Sequence, residues 1–353
     1  MKINFVLPGP SVFPIGGYKM VFEYANRLSE RGYQVNIIFN CSPGVKNHPN
    51  IPAIIKFLYC HIGVWYFPRW FTLHKEVRKI CAYKDLVDAD IPDADFICAT
   101  AISTVESVMK VGLNKGKKLY FIQGFESWGK WTPNAVTQTY HLGMKNIVIA
   151  KWLEKIVHDS GADCVLIPNG IDFNVFFVDN PIELRQGYTV SMLYNKSEYK
   201  GAVYGIEALK KLKKKYPNLK ATLFGIPKRP ADLPEWIQYV RNATQTQLHQ
   251  IYNQSKIYLC PSLKEGFGLT GAEAMACGAA YVASDYGGVH EYATDGRNVL
   301  LSAPKDVDGL VEHISYLFDH DDKRIKLAQH GYEDIQRMDW NKSVDKFEEV
   351  MVR

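Results

Sequence analysis

The sequence is poor in features that define several protein classes. Its 353 residues include seven cysteines, an odd number, and none of them forms a Cys-x-x-Cys pair. This usage does not suggest a disulfide framework. Cys98, Cys164 and Cys260 lie inside apolar runs, where a free thiol packs as a small hydrophobe. We therefore expect a reduced, cytoplasmic setting.

Long apolar runs are also missing. The longest stretch without Lys, Arg, Asp or Glu is "FLYCHIGVWYFP", residues 57–68, whereas a membrane-spanning helix needs about 20 apolar residues. The first residues, "MKINFVLPGP", contain too short an apolar run for a signal peptide and predict a first strand. We expect no transmembrane helix.

The excess of positive charge is small. Forty-two basic and 37 acidic residues give a net charge of +5, without the basic, aromatic stripe of a nucleic-acid-binding module. A nucleic-acid partner is therefore not expected, whereas an anionic substrate or a membrane surface is compatible with this charge. The length and the 47% hydrophobic content predict a globular protein of two domains.

Short β-branched or aromatic runs alternate with helical patterns throughout the chain, which is typical of βαβ units and a parallel sheet. The predicted strands are 3–7, 34–39, 95–100, 118–123, 146–150 and 164–168, then 188–193, 220–226, 236–240, 257–262, 280–285 and 298–302. The predicted helices are about 17–31, 202–216, 246–255, 269–277 and 306–318, with a helical tail from about 321 that is interrupted near 338–339.

The alternation starts twice, which predicts an α/β protein of two Rossmann-like domains. The turn-rich segment "PNGIDFNVF", residues 168–176, is the natural junction. We expect an N-terminal domain of residues 1–168, which a final helix at about 339–353 rejoins, and a C-terminal domain of residues 169–338. Two such domains would leave a cleft at the carboxyl ends of their strands.

One motif, "SLKEGFGLTGAEAMACG" at residues 262–278, combines a strand end, a glycine-rich loop and a helix of small residues. The first-turn N–H groups of that helix form an anion site, and Gly266 and Gly268 allow close backbone approach. Glu265 and Glu273 can each accept two hydrogen bonds from a pair of neighbouring hydroxyls. A ligand with phosphates between two hydroxylated rings, a nucleotide-sugar, fits this motif.

The residues "EGFGLTGAEAMACGAAYVASDYGGVHEYATDGRNVLL" and "PNGID" resemble the donor-binding core of retaining GT-B glycosyltransferases of family GT4, the glycosyl transferases of group 1. The resemblance is strong over residues 257–301. It implies that Glu265 holds the donor sugar, that Glu273 binds the ribose, and that the base lies near Asn242 and Ala243. The residues implied to present amides to the sugar and diphosphate, or to lie beside them, are Gly266, Phe267, Gly268, Leu269 and Thr270.

The resembled family also uses an Arg five positions before a Lys-Gly to grip the phosphates. Lys200 and Gly201 match the Lys-Gly. Asn195 occupies the Arg position and Lys196 follows it. Lys196 is the candidate replacement, although an ammonium group supplies a point charge and not the bidentate fork of a guanidinium group.

In the first half, Gly16 and Gly17 open a helix, and the resemblance implies that this loop approaches the donor phosphates and the acceptor. Where the family often carries a histidine, this chain has Gln123, with Glu126 three residues later. Gln123, Glu126 and Trp128 are candidates for contacting the sugar or acceptor. The alternative is an aromatic loop that only packs against its neighbours.

Two segments allow two interpretations each. "DADIPDAD", residues 88–95, contains the Asp-x-Asp pattern that can hold Mg²⁺. Because it runs directly into a strand, we favour a solvated strand start. We expect neither a metal nor another cofactor.

The aromatic and basic segment 54–79 is either a core segment with a cationic helix face, or a membrane-contacting or acceptor-binding surface.

Together these patterns predict a retaining glycosyltransferase that moves a hexose from a nucleotide-diphospho-sugar, first of all UDP-glucose, to a saccharide or lipid-linked acceptor in cell-envelope or exopolysaccharide synthesis. Two alternatives stay open. One is a nucleotide-sugar epimerase or hydrolase of the same shape, and the other is a non-catalytic nucleotide-sugar-binding protein. We expect a cytoplasmic protein, with peripheral contact at the inner membrane face as a second interpretation.

Overall fold

A computed structural model describes residues 1–42 and 50–352 of the protein. The chain divides into two compact units. The first contains Met1–Pro168 together with the carboxyl-terminal residues from Ser343 onward, and the second contains Asn169–Lys342.

The first unit is built on a parallel sheet. Its described strands are β1 (Lys2–Pro8), β2 (Gln34–Asn40), β3 (Arg78–Ala82), β4 (Phe96–Ala99), β5 (Lys117–Ile122), β6 (Lys145–Val148) and β7 (Cys164–Leu166). They lie in the order β3-β2-β1-β4-β5-β6-β7. The helices described between them are α1 (Gly16–Glu30), α2 (Ala53–Tyr66), α3 (Ile102–Lys110), α4 (Pro133–Thr139) and α5 (Lys151–Asp159). The central strands are covered on both faces, which explains their nearly continuous hydrophobic sequences.

The second unit repeats the plan with a parallel sheet of six strands. These are β8 (Thr189–Leu193), β9 (Lys220–Gly225), β10 (Ile237–Arg241), β11 (Ile257–Cys260), β12 (Ala280–Ser284) and β13 (Leu300–Ser302), in the order β10-β9-β8-β11-β12-β13. The helices are α6 (Ala202–Lys215), α7 (Gln245–Gln254), α8 (Leu269–Ala276), α9 (Val307–Asp319) and α10 (Asp321–Ile335).

The strand order reverses its direction once in each sheet. In the second unit the chain moves outward from β8 to β10 and then returns to the other side of β8 with β11. In the first unit the same reversal falls between β1 and β4. Ligands of such sheets bind outside the carboxyl ends of the strands at this switch point. The loops that follow β8 and β11 are those that carry the motifs identified in the sequence.

The last helix, α11 (Trp340–Val352), continues into the first unit. Phe347 packs with its ring centroid 4.8 Å from that of Tyr24 and 6.0 Å from that of Phe5. The Arg31 guanidinium group pairs with Asp345 on the same helix at 2.6 Å. These contacts confirm that the final helix returns to the N-terminal half of the protein.

The predicted α/β architecture is confirmed, and most predicted elements begin and end within two residues of their observed positions. One strand was missed. β3, "RKICA", is a short edge strand with two cationic residues and partly exposed side chains, so it lacks the apolar run that marks the central strands. The predicted core or surface segment 54–79 contains α2 and the start of this strand. Among the described residues, no helix has the length and apolar character that crossing a membrane requires.

Candidate active site

The helix start after β11 has a backbone that only glycine adopts easily. Gly268, directly before α8, has φ +87°, in the left-handed region. A Cβ atom there would lie 2.2 Å from the Tyr286 hydroxyl oxygen. The first helical N–H to reach the Gly268 carbonyl is that of Gly271, so the amides of Leu269 and Thr270 lie ahead of the helical hydrogen-bond ladder. Amides in this position are suited to bind an anion, and their role in diphosphate binding stays a prediction.

A buried network of tyrosine hydroxyls supports this helix start from behind. Tyr286 lies 2.6 Å from Tyr281 and 2.9 Å from Tyr292, measured between hydroxyl oxygens. The Tyr292 hydroxyl donates to the Gly268 carbonyl at 2.8 Å. Burial raises the pKa of all three hydroxyls, so they stay neutral donors. The sequence analysis missed this network, although three tyrosines within "YVASDYGGVHEY" are a signal for it.

Glu265 and Lys200 form an ion pair across the switch point. The Lys200 Nζ atom lies 2.8 Å from a Glu265 carboxylate oxygen, and both side chains are largely buried. Ser262 donates its hydroxyl to the other Glu265 oxygen at 2.8 Å. Burial opposes the charge of Lys200, but Glu265 outweighs it and raises the lysine pKa above its ordinary value. The structure thus brings two predicted catalytic residues into direct contact.

The loops that carry this pair are fixed against each other. Gly201 has φ +60°, and a Cβ atom there would lie 1.9 Å from the Pro261 carbonyl oxygen. Leu263 also donates its N–H to the Tyr199 carbonyl at 2.7 Å. The Lys-Gly motif is therefore required for the close approach of the loop after β8 to the loop after β11.

Asn195 and Lys196 lie on the same loop with different environments. The Asn195 side-chain oxygen accepts the Ser197 N–H at 2.9 Å, which stabilises the turn after β8. The Lys196 side chain is exposed. Asn195 therefore acts as a turn former, and a phosphate-binding role for Lys196 stays a prediction.

Glu273 lies deeper than the sequence alone indicates. It is on α8, one turn after the helix start, and only 4% of its surface is exposed. The Tyr252 hydroxyl on α7 donates to its carboxylate at 3.3 Å. A carboxylate already partnered by a tyrosine is oriented before any ligand arrives, which reduces the entropy that binding costs.

The predicted base-binding residues lie at the sheet edge. Asn242 follows β10, has φ +52°, and donates its N–H to the Gly225 carbonyl at 2.9 Å. Three strand spacings separate β10 from β11, or about 14 Å. Asn242 and its neighbour Ala243 therefore do not contact Glu265 or Lys200, and their role stays a prediction.

The Phe267 side chain is buried against Tyr292 and cannot contact a ligand. Only the backbone of Phe267 is suited to bind one.

In the first unit, the predicted residues gather at the carboxyl ends of β1, β4 and β5. Gly17, in the first turn of α1 after Gly16, lies close to the Gln123 side chain. A Cβ atom on Gly17 would be 3.3 Å from the Gln123 amide nitrogen. Gln123 donates to the Thr100 carbonyl at 3.3 Å. The Trp128 side chain is exposed. The structure brings Gly17 and Gln123 together at the switch point of this sheet.

Glu126 has a perturbed titration. Its carboxylate accepts the Ile102 N–H, at the start of α3, at 3.0 Å. Burial raises the pKa of Glu126 from 4.5 to about 6, although that hydrogen bond lowers it. A buried carboxyl group with a pKa near neutrality, beside the positive end of a helix, is typical of functional sites.

We expect Glu126→Gln to stabilise the protein above pH 6. Because the folded-state pKa is the higher one, the wild type loses about 2 kcal/mol of stability as pH rises from 4.5 to 6. The amide cannot ionise but can still accept the Ile102 N–H. Urea unfolding at pH 4.5 and pH 7.5 measures the difference. Glu154→Gln, on the partly exposed face of α5, is the control. A stability difference between Glu126→Gln and wild type that does not change with pH would contradict the assignment.

Three aspartates of residues 88–95 have structural partners. Asp88 accepts the Gly112 N–H at 2.9 Å, Asp93 accepts the Lys115 ammonium group at 2.7 Å, and Asp95 accepts the Lys2 N–H at 2.7 Å. Within the described residues, no group of three His, Cys, Asp or Glu side chains is arranged to hold a metal ion. The segment leads directly into β4, and the absence of a cofactor stays a prediction.

Comparison with known proteins finds similarity to glycosyltransferases in both sequence and fold. A family model described as "Glycosyl transferases group 1" matches residues 184–334. A phosphatidyl-myo-inositol mannosyltransferase of Mycolicibacterium smegmatis is 25% identical over 97% of this chain and 91% of its own length. Anabaena HepE, solved in complex with UDP-glucose, superposes with a TM-score of 0.74 at 16% identity over 100% of this chain and 99% of its own. A sucrose-phosphate synthase of Thermosynechococcus elongatus reaches 0.75 at 15% identity over 99% and 98%.

Two parallel α/β sheets and a returning final helix give the chain the GT-B fold of these glycosyltransferase structures. The second unit matches the family model of the glycosyl transferases of group 1 over residues 184–334. The family resemblance noted in the sequence is thereby confirmed, and the protein is an enzyme.

Proposed function

We propose that the protein is a retaining hexosyltransferase that uses a nucleotide-diphospho-sugar, UDP-glucose first, and a saccharide or lipid-linked acceptor of cell-envelope or exopolysaccharide synthesis. The observation that carries the proposal is the Lys200–Glu265 pair beside the start of α8. This arrangement offers a cation and free amides to a diphosphate, and a carboxylate to the attached sugar. The mannosyltransferase relative and the UDP-glucose complex of HepE support a sugar-nucleotide donor in general.

In the proposed reaction, the bond between the anomeric carbon and the diphosphate oxygen breaks, and the electron pair stays on that oxygen. The acceptor hydroxyl forms the new bond from the same face of the sugar and gives its proton to the departing diphosphate. Negative charge grows on the diphosphate during this step. The Lys200 ammonium group and the amides of Leu269 and Thr270 stabilise that charge. The proposal requires no metal ion or other cofactor.

Glu265 has a separate role in this scheme. Its carboxylate can accept hydrogen bonds from the donor-sugar hydroxyls while Ser262 keeps it oriented. Because Lys200 lies 2.8 Å away, the group that holds the sugar and the group that holds the diphosphate flank the bond that breaks. This proximity supports transfer, and not nucleotide binding alone, as the function of the site.

A ligand screen tests the proposal. Thermal unfolding is measured with UDP-, GDP- and dTDP-sugars, each with and without EDTA, and products are identified by mass spectrometry with saccharide and lipid-linked acceptors. We expect one nucleotide class to stabilise the protein regardless of EDTA and to support sugar transfer with retained anomeric configuration. An epimer or free sugar formed equally without acceptor would favour the epimerase or hydrolase. Tight binding with no turnover would favour a non-catalytic binding protein.

We expect Glu273→Gln to weaken UDP binding by about 1–3 kcal/mol, because a neutral amide replaces a charge-assisted acceptor for the ribose hydroxyls. The amide oxygen can still accept the Tyr252 hydroxyl, so the fold is retained. Isothermal titration with UDP measures the change. Tyr252→Phe is the matched control for loss of the orienting contact, with a smaller effect expected. UDP affinity unchanged in Glu273→Gln would remove the ribose assignment.

A further inference from the structure

Helix α2 exposes an unusual amount of apolar surface. Only Cys60, Gly63 and Val64 of its fourteen residues are buried. Of its eight large exposed apolar side chains, Phe57 lies beside the buried stripe, and the other seven fall within one arc of about 140° opposite it, at about 100° per residue. These side chains are Ile54, Ile55, Leu58, Tyr59, Ile62, Trp65 and Tyr66. Trp65 is 77% exposed and Tyr59 is 74% exposed. This arc, the α2 face, contains no charged residue.

Monomeric globular proteins rarely leave such a continuous apolar face in water. We propose that the α2 face docks on the surface of a lipid bilayer that contains anionic phospholipids. This inference deepens the proposed function, because it names the surface at which a lipid-linked acceptor would be met.

Helix length and composition favour a bilayer surface. Fourteen residues form a helix of about 21 Å, shorter than the apolar core of a bilayer at about 30 Å, so α2 would lie in the interface and not span it. Trp65 and Tyr66, at the carboxyl-terminal end, are the residue types that favour the headgroup level. Arg69 donates to the Tyr66 hydroxyl and lies over its ring, at the edge of the face.

Charge supports an anionic surface in particular. Residues 51–84, which contain α2 and β3, carry six basic residues and one acidic residue. This excess equals the net charge of the whole chain, +5, so the remaining sequence is balanced. Arg69, Lys75, Arg78 and Lys84 are all exposed. Each cation near an anionic membrane surface contributes about 1 kcal/mol of attraction.

The same positive charge makes a second copy of the chain a less suitable partner for the α2 face than an anionic bilayer. A two-fold dimer through the α2 face would place the same patch on both sides of the interface. The two cationic segments would then face each other, and like charges oppose such contact. A bilayer with anionic lipids offers complementary charge instead.

Helix α2 also packs against the loop that leads into α1. Gly63 of α2 lies against Pro10, because a Cβ atom on Gly63 would be 3.2 Å from the proline ring. The loop from Pro10 onward exposes Val12, Phe13 and Ile15 and leads directly into Gly16 of α1. Because Gly63 is on the buried side of α2, a bilayer on the α2 face would lie one helix diameter, about 10 Å, from the loop implied to approach the acceptor.

Vesicle co-sedimentation of the full chain, without donor or acceptor, tests the proposal. We expect binding to phosphatidylcholine vesicles that contain phosphatidylglycerol, weaker binding to pure phosphatidylcholine, and loss of the difference at high salt. The triple variant Leu58→Gln/Ile62→Gln/Trp65→Gln should lower the partition coefficient by at least about tenfold, since it removes the apolar contact. Leu113→Gln, which replaces an exposed leucine elsewhere in the first unit, should bind like the wild type.

A second variant separates charge from apolar contact. Arg78→Gln/Lys84→Gln should lose roughly fivefold in partition per cation on phosphatidylglycerol vesicles and nothing on pure phosphatidylcholine. Circular dichroism and the unfolding midpoint confirm that the variants fold. Absent binding by the wild type, or unchanged binding by the triple variant, would overturn the proposal. A concentration-dependent dimer that the triple variant abolishes would assign the face to a second copy. Sugar transfer to a water-soluble acceptor tests the active site separately from all of these outcomes.

Discussion

Glu265→Gln is expected to lower kcat for sugar transfer by about 10²–10³-fold and to leave the Kd for UDP within a few-fold of the wild type. The amide can still accept the Ser262 hydroxyl, so the loop geometry is preserved. It cannot neutralise Lys200 or accept charge-assisted hydrogen bonds from the donor sugar. Removing one such electrostatic contact from a transition state typically costs this much. UDP contains no donor sugar, so its affinity should change little.

The variant also changes the charge state of its partner. Glu265 is what raises the pKa of Lys200, and burial alone lowers it. Without Glu265, the lysine pKa should fall, so activity of the variant should decline at a lower alkaline pH than that of the wild type. Because the two residues act as a pair, the double variant Lys200→Met/Glu265→Gln should have a kcat only a little lower than that of the less active single variant.

Initial rates at saturating donor, together with UDP titration, measure these effects. Glu198→Gln is the matched control, because Glu198 is an exposed carboxylate on the same turn as Lys200. It should retain wild-type kcat and UDP affinity. The assignment of Glu265 to the reacting sugar would be contradicted if Glu265→Gln retained the wild-type kcat. It would also be contradicted if the variant lost UDP binding and activity in equal measure.

Sequence patterns predicted the sheet well because the strands of a parallel sheet are buried on both faces. Phe96–Ala99 and Ile257–Cys260 are continuous apolar runs bounded by polar residues or proline, and such runs need no tertiary information to be found. The edge strand β3 has no such run, since one of its sides faces no neighbouring strand. It became visible only through its pairing with β2.

The site was predictable where one short segment carries all of its chemistry. Gly266, Gly268 and the two glutamates lie within nine residues, and their order indicates a diphosphate between hydroxylated rings. Contacts made by residues far apart in sequence were not predictable. The contact of Tyr252 with Glu273 depends on the packing of α7 beside α8.

The sequence also did not predict which side of α2 is exposed. Its sequence is apolar around most of the helix, so hydrophobic periodicity cannot identify which side packs on the sheet. The structure assigns Cys60, Gly63 and Val64 to the buried side. The remaining apolar residues of α2 are therefore exposed. Of the two interpretations that the sequence allows for this segment, burial in the core does not apply to these residues.

Gly268→Ala is expected to destabilise the second unit by about 2–5 kcal/mol and to abolish donor binding. A left-handed backbone costs a residue with a Cβ atom about 1–2 kcal/mol. The new methyl group would also lie 2.2 Å from the Tyr286 hydroxyl oxygen and 2.9 Å from that of Tyr292, and overpacking of this kind adds about 1–3 kcal/mol. Relief of the clash requires the tyrosine network and the first turn of α8 to separate, which displaces the amides proposed to bind the diphosphate.

Two comparisons isolate the cause. Gly187→Ala has a similar left-handed backbone, with φ +72°, but no atom within 4 Å of the new methyl group, so it should show the backbone cost alone. Gly268→Ala/Tyr286→Phe removes the nearest clashing oxygen and should recover part of the lost stability. Urea unfolding and UDP titration measure both quantities. If Gly268→Ala were no more destabilising than Gly187→Ala and bound UDP normally, the tyrosine network would not be what holds the helix start in its binding position.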